Sequence, residues 1–236
     1  MSGNLMRYAI WQLRDFARER GIALMVIGLA ISITFIGPMK AVGVQFTENT
    51  ARQLIVTILS QVALLAAFIA FNGMISNDRK LGYYRFLFSK PVSMPAYYTQ
   101  LFAVFFVGYL IVFAVLLGLF SLVVFPVFPI GVITYAALVF LSLGGIAFFI
   151  SSLVRFDWPA LGGVFMGTLL LRSVLAGRDG PAAILLAILP PIHELLPLAG
   201  LVTGGTVAPL TVLWLLGYSA CFFAAGLIVL RRRAFA

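Results

Sequence analysis

Charged residues are scarce in this sequence. Only 10% of its 236 residues are charged, whereas 63% are hydrophobic. A soluble domain of this length could not bury so much apolar surface, because the outside of a folded domain must still face water. The composition therefore excludes a soluble protein and predicts an all-α polytopic membrane protein. We expect a single transmembrane domain over residues 1–236, multi-pass in the cell membrane (inner or plasma).

Cysteine and histidine each occur once, as Cys221 and His193. Cys221 lies in an apolar run, where we expect it to be buried, and one cysteine cannot form a disulfide within the chain. His193 opens the segment HELLP, which lacks the second histidine of the zinc-protease signature H-E-x-x-H. A zinc site with paired imidazoles is thereby excluded. We expect no catalytic, cofactor-binding or metal-binding residues on this chain.

The phosphate-binding pattern G-x-x-x-x-G-K-[ST] is also missing from the sequence. Without it the chain has no nucleotide site of the P-loop type. An integral-membrane enzyme would need acidic, histidine or serine residues gathered on one membrane face, and the sequence supplies no such set. We therefore expect that the chain is not an enzyme and that an ATP-driven activity would use a motor on another chain.

Long apolar runs dominate what is present, and they predict six transmembrane helices, since a crossing needs roughly 20 apolar residues. The predicted spans are residues 21–37, 53–75, 96–124, 130–153, 158–175 and 207–230. Before the last span, residues 176–205 are apolar but broken by glycines and prolines. Because irregular backbone at membrane depth must be shielded by protein or face water, we expect this extracytoplasmic segment to be a re-entrant hairpin of two short helices.

Residues 4–20 have an amphipathic pattern. At about 100° per residue, apolar side chains fall on one arc beside a ridge of Arg7, Arg14 and Arg18, with Trp11 at the flank. This combination is typical of a helix that lies in the membrane interface. Packing against a soluble domain is the alternative, and it is disfavoured because the sequence contains no such domain.

Basic residues outnumber acidic ones by 16 to 7. With the N-terminus in the cytoplasm, the six predicted spans put twelve basic residues inside and four outside, the outer four being Lys40, Arg52, Arg172 and Arg178. This positive-inside bias predicts that both termini are cytoplasmic. The net charge of +9 is then explained by orientation and by contact with anionic membrane lipids, so we expect no nucleic-acid partner.

Few polar side chains lie within the predicted spans, and the main ones are Gln61, Asn72 and Arg172. None has an obvious acidic partner with which to form a proton or sodium relay, which argues against a secondary transporter. Gln61 is as consistent with a hydrogen bond between helices as with a substrate path. We consider Gln61 and Asn72 as candidates for a translocation path, and expect Arg172 to extend towards the outer interface.

One long polar and basic stretch separates the second and third spans, NDRKLGYYRFLFSKPVSMPAYY at residues 77–98. A solvated loop, held inside by its charge, would explain the lysines and arginines. It does not explain aromatic residues such as Phe86 and Phe88, which gain nothing by facing water. We therefore predict that residues 77–96 form a cytosolic amphipathic segment, interrupted at Pro91, that docks onto a soluble partner.

This stretch resembles the loop between the second and third spans of ABC transporter permeases of the type-2 exporter class. The resemblance rests on Asp78-Arg79, then Gly82, then RFLFSKPVS at residues 85–93, and the predicted architecture is similar to that family over the whole chain. In the family this loop is a coupling helix that docks on the ATP-binding subunit. The residues that the resemblance assigns to docking are Asp78, Arg79, Gly82, Arg85, Phe86, Lys90 and Pro91.

The resemblance implies that the chain is the permease subunit of an ATP-driven exporter. It further implies a second permease copy, in a homodimer or related heterodimer, and separate ATPase subunits that carry ATP and magnesium. Since the predicted path has no charged groups, we expect an apolar or amphipathic substrate. The alternative is a membrane assembly or scaffold subunit without transport activity.

Overall fold

All regular structure in the described part of the chain is helical. The computed structural model describes residues 2–43, 47–80, 93–123, 130–154 and 157–233. Five of its helices are long and apolar enough to cross a membrane: Met6–Met39, Val56–Asp78, Met94–Leu122, Ile130–Leu153 and Pro209–Arg232. The predictions of an all-α fold and of a multi-pass membrane protein are therefore confirmed.

The α-helices are numbered here in chain order. They are α1 Ser2–Phe16, α2 Ile22–Ala41, α3 Glu48–Leu54, α4 Ser60–Phe71, α5 Ser76–Lys80, α6 Met94–Val123, α7 Ile130–Leu153, α8 Asp157–Leu175, α9 Pro181–Ile188, α10 Leu195–Leu198 and α11 Pro209–Arg233. Two π-helical segments, Ala17–Gly21 and Ile55–Leu59, join α1 to α2 and α3 to α4 without a break. Short 3-10 helices, Ile192–Glu194 and Ala199–Thr203, flank α10.

The N-terminal region differs from the two separate elements that the sequence predicts. Helical structure continues from α1 into α2, with no break at Gly21, and it runs past Pro38 to Ala41. Because proline lacks a backbone N–H, the helix loses one hydrogen bond at Pro38. The Pro38 carbonyl still accepts one, from the Val42 N–H at 3.0 Å. The interfacial position of residues 4–20 stays a prediction.

The predicted fifth span corresponds to α8, whose apolar part, Pro159–Leu175, is shorter than the five long helices. The sixth crossing and the cytoplasmic position of both termini therefore stay predictions. Residues 176–205 contain the short helices α9 and α10. We call this segment the hairpin below; its re-entrant, extracytoplasmic position stays a prediction. At 1.5 Å per residue, α9 is roughly 12 Å long, far less than the ~30 Å of a bilayer core.

Contacts between α4 and α6 show that these helices are antiparallel. The Tyr109 hydroxyl donates to the Ala63 carbonyl at 3.1 Å. Nearer the start of α6, the ring of Phe102 stacks on that of Phe71 at the end of α4, with centroids 6.5 Å apart. The end of α4 therefore lies beside the start of α6.

Helix α7 is in turn antiparallel to α6. The ring of Tyr98 lies 6.4 Å from that of Phe148, and the ring of Tyr109 lies 5.1 Å from that of Phe140. The end of α4, the start of α6 and the end of α7 thus lie together, at what we call the junction end. The start of α7 lies at the other end, where Gly131 is so close to the hairpin that a Cβ would collide with the Leu201 carbonyl; this is the hairpin end.

Helices α7 and α11 pack backbone against backbone. A Cβ added to Gly145 would collide with the carbonyl oxygen of Ser219. The Ser219 hydroxyl accepts a hydrogen bond from the Gly145 N–H at 2.9 Å and donates one to the Leu141 carbonyl. It thereby bridges two backbone groups that an α-helix ordinarily pairs with each other. Small residues at such contacts are typical of closely packed membrane helices.

Cys221 is exposed, so the prediction that it is buried is wrong. It follows Ser219 by two residues, which is about 200° around the helix. The face that carries Ser219 is turned to α7, and Cys221 therefore points away from it. An apolar run in a membrane helix does not by itself distinguish a buried side chain from one on the outer surface.

Replacing Ser219 by alanine is expected to destabilise the protein by ~1 kcal/mol, because two backbone groups of α7 lose their bridging hydroxyl. For a chain of this size that is a fall of roughly 2–4 °C in the unfolding midpoint, measurable by thermal denaturation in detergent. Ser173→Ala is the matched control, since that exposed hydroxyl bonds only to the Leu170 carbonyl of its own helix. Equal midpoints for the two variants would contradict the bridging role.

Candidate functional site

The segment predicted to dock on a partner begins at the junction end. Asp78 and Arg79 lie in α5, a short helix beyond the end of α4. The other residues assigned to docking lie outside the described residues: Gly82, Arg85, Phe86, Lys90 and Pro91. The chain is described again from residue 93, and α6 begins at Met94. The structure therefore describes the two ends of the predicted docking segment, up to residue 80 and from residue 93 onwards.

A tight turn at Gly73 lets the chain leave α4. Gly73 has a φ of +73°, in the left-handed region that favours glycine. A Cβ there would also lie only 2.6 Å from the amide nitrogen of the Asn77 side chain. The positive φ favours glycine at this position, and a larger residue would also displace the Asn77 side chain. The turn places Asn72 at the end of α4 and brings α5 back against the bundle.

Asp78 is half-buried at this turn and contacts α6. The hydroxyl of Tyr98, which is itself buried, donates to Asp78 Oδ2 across 3.4 Å. The charges of Arg20 and Glu19 also act on the Asp78 carboxyl. The first residue of the predicted docking surface is therefore in contact with the start of α6 and in the electrostatic field of the N-terminal helix.

Arg20 joins the N-terminal helix to the end of α4. It is only 8% exposed, and its Nε and Nη2 atoms donate to the Asn72 carbonyl at 3.1 and 2.8 Å. Its Cζ lies 4.5 Å from the centroid of the Phe105 ring, and Glu19 lies 3.8 Å from Nη1. Carbonyls at a helix C-terminus lack intrahelical partners and carry the negative end of the helix dipole. The guanidinium therefore satisfies an acceptor that α4 leaves open.

We call Arg20, Asn72, Asp78 and Tyr98 the junction. It connects four elements, namely the π-helical segment after α1, the turn after α4, the short helix α5, and the start of α6. Sequence reasoning identified Asp78 but counted Arg20 only among the inside charges. One feature of the sequence could have indicated this role. Arg20 is the last basic residue before the first apolar run, and a side chain at that position can reach the ends of neighbouring helices.

The two candidates for a translocation path lie on the open surface of the second long helix. The side chains of Gln61 and Asn72 are both exposed. Eleven residues separate them, which is close to three helical turns and about 16 Å. For Asn72 it is the backbone carbonyl that makes the contact with Arg20. Thr57, in the π-helical segment before α4, and Gln53, near the end of α3, are also exposed polar residues on the N-terminal side of Gln61.

The chain was compared with protein-family models and with curated proteins, and neither comparison found a match.

Proposed function

We propose that the chain is the transmembrane permease subunit of an ATP-driven exporter of the type-2 ABC class. The junction is the observation that carries this proposal. The segment that resembles a coupling helix starts at Asp78, and Asp78 lies beside elements of the N-terminal helix, α4 and α6. A partner that moves the segment therefore acts on several membrane helices together.

In the proposed mechanism, ATP and magnesium bind to separate ATPase subunits and close them against each other. The motion reaches the permease through residues 78–90 and enters α4 and α6. Arg20 passes part of it to α1 and α2, through two hydrogen bonds to the Asn72 carbonyl. Packed side chains and hydrogen bonds between rigid helices are the kind of network that carries such coupling.

The exposed polar side chains of the second long helix support a path between two permease copies. Thr57, Gln61 and Asn72 are exposed along it, and Gln53 is exposed near the end of α3, just before it. Polar groups in membrane helices are rarely turned to lipid and usually face protein or a water-filled cavity. This surface therefore meets a second copy or the substrate. Its amides and hydroxyl are uncharged, which favours an amphipathic substrate.

The test is to purify the chain with its ATPase subunit and replace Arg85 and Phe86 by alanine. Arginine and aromatic residues commonly dominate protein interfaces, so we expect about tenfold weaker binding of the ATPase, with a matching fall in ATP turnover at a fixed subunit concentration. Arg231→Ala is the matched control, because it removes an exposed basic residue from the end of α11. If complex formation and ATP turnover both stay unchanged in the double variant, the coupling role is wrong. A scaffold subunit would bind no ATPase even in its native form.

A further inference from the structure

A second polar cluster lies at the hairpin end. Arg172, near the end of α8, donates from Nη2 to the Leu186 carbonyl of α9 at 3.0 Å. Tyr218 of α11 donates to the Ile188 carbonyl of α9 at 2.8 Å. Both carbonyls belong to the last turn of α9, where intrahelical partners run out. Arg172 and Tyr218 thus fix the end of α9 between α8 and α11.

The guanidinium of Arg172 is incompletely paired within the described part of the chain. It has five N–H donors, yet its Nε is buried without a hydrogen-bond partner among the described residues. Among the described residues no carboxylate forms an ion pair with Arg172; Glu194 Oε1 lies 3.2 Å from His193 Nε2 instead. A partly buried cation in apolar surroundings is strongly disfavoured unless an anion accompanies it. The guanidinium therefore lacks an anionic partner among the described residues, and an anion from outside the chain could supply one.

The surroundings of Arg172 are apolar and open. Large exposed side chains on the adjoining faces of α8, α9 and α11 include Leu169, Ile184, Ile188 and Trp214, and the Trp214 ring lies 6.0 Å from that of Tyr218. A ligand that fits both the guanidinium and these exposed apolar side chains has an anionic head and apolar chains. A guanidinium also matches the oxygen geometry of a phosphate group.

We propose that Arg172, with His193 beside it, binds the phosphate of an anionic membrane lipid whose acyl chains lie on the exposed apolar residues of α8, α9 and α11. The site is independent of the proposed transport function. It goes beyond the expectation that Arg172 extends towards the outer interface, since one of its N–H groups also donates to the Leu186 carbonyl.

His193 makes the binding dependent on pH. Burial lowers the pKa of His193 below its ordinary value, the positive charge of Arg172 lowers it further, and Glu194 raises it. Arg172 faces the cluster from α8 and Tyr218 faces it from α11, while Glu194 adjoins His193 in the hairpin. A bound phosphate stabilises the protonated imidazole. Lipid binding therefore strengthens as the pH falls through the range in which free His193 begins to accept a proton.

The experiment titrates the full chain, purified in neutral detergent, with phosphatidylglycerol, and phosphatidylcholine serves as the zwitterionic reference. We expect Arg172→Gln to weaken phosphatidylglycerol binding about tenfold or more, and Arg172→Lys, which keeps the charge, to weaken it less. Arg178→Gln is the matched control, because Arg178 is an exposed arginine beyond the end of the same helix. Equal affinities for native protein and Arg172→Gln, or equal losses for Arg172→Gln and Arg178→Gln, would overturn the proposal.

Two further measurements separate this site from general attraction of anions. Between about pH 7.5 and about pH 5.5, native protein should gain affinity severalfold, whereas His193→Gln should not; the same gain in both would overturn the role of His193. Inorganic phosphate at the concentration of the lipid should displace none of it, because it lacks acyl chains. Displacement at equal concentration would overturn the assignment to a lipid.

Discussion

Gly145→Ala is expected to destabilise this protein more than any other single change predicted here. A Cβ at Gly145 would collide with the Ser219 carbonyl oxygen and lie only 2.5 Å from the Ser219 hydroxyl. The first of these atoms is backbone, so no side-chain rotation relieves the collision, and α7 and α11 must move apart. Overpacking commonly costs about 1–3 kcal/mol and sometimes more. We expect at least ~3 kcal/mol here, or a fall of roughly 6–12 °C in the unfolding midpoint.

Gly217→Ala is the matched control for this prediction. Gly217 is also a helical glycine, on α11, but a Cβ there has no neighbour within 4 Å. Alanine is the better helix former by about 1 kcal/mol, so this variant should be neutral or slightly more stable. The measurement is thermal denaturation of both variants in one detergent. A midpoint for Gly145→Ala within a degree or two of the native value would show that α7 and α11 do not pack as closely as described.

The sequence predicts helices better than it predicts their contacts. The apolar runs at residues 96–124 and 130–153 correspond to α6 and α7 almost residue for residue, because the length of an apolar run sets the length of a membrane helix. The Gly144-Gly145 pair was visible in the sequence, but its partner Ser219 lies more than seventy residues away. Such a pairing depends on which helices become neighbours, and periodicity within one helix does not carry that information.

The N-terminal boundary was missed for a related reason. A basic, amphipathic stretch followed by an apolar run predicts two elements, with the first span starting at Gly21. In the structure the π-helical segment Ala17–Gly21 continues the helix, and the Phe16 ring packs beside Gly108 of α6. Tertiary packing thus stabilises a helix across a residue that local propensity would use as a break.

The candidate site was predictable only in part. Asp78 was assigned by resemblance, and the aromatic content of residues 77–98 indicated a contact surface. The roles of Arg20 and Arg172 were not predicted. A count of basic residues indicates on which side of the membrane a residue lies, but it does not indicate which groups its side chain contacts. Arg20 reaches the Asn72 carbonyl because the N-terminal helix lies beside the ends of α4 and α6. That arrangement is a property of the fold, and no local pattern encodes it.

Arg20→Met is expected to weaken the junction while it preserves most of the side chain's apolar volume. The variant removes two hydrogen bonds to the Asn72 carbonyl and the cation over the Phe105 ring. Hydrogen bonds from charged groups contribute about 1.5–3 kcal/mol each, and the loss is partly offset because a buried charge no longer has to be desolvated. We therefore expect a net destabilisation of ~2–3 kcal/mol, measured as a lower unfolding midpoint. Arg18→Met is the control, as Arg18 is exposed in the same π-helical segment.

The same variant separates a structural role of Arg20 from a role in coupling. If the proposed permease function is right, Arg20→Met assembled with its ATPase should keep the binding affinity, because the docking residues are unchanged, yet export less substrate for each ATP hydrolysed. A purely structural role predicts that affinity, turnover and export fall together, in proportion to the amount of folded protein. Arg18→Met should change neither the binding affinity for the ATPase nor the amount of substrate exported per ATP. Export per ATP that is equal in Arg20→Met and Arg18→Met would show that the N-terminal helix does not take part in coupling, since Arg20 is the residue that ties this helix to the turn after α4.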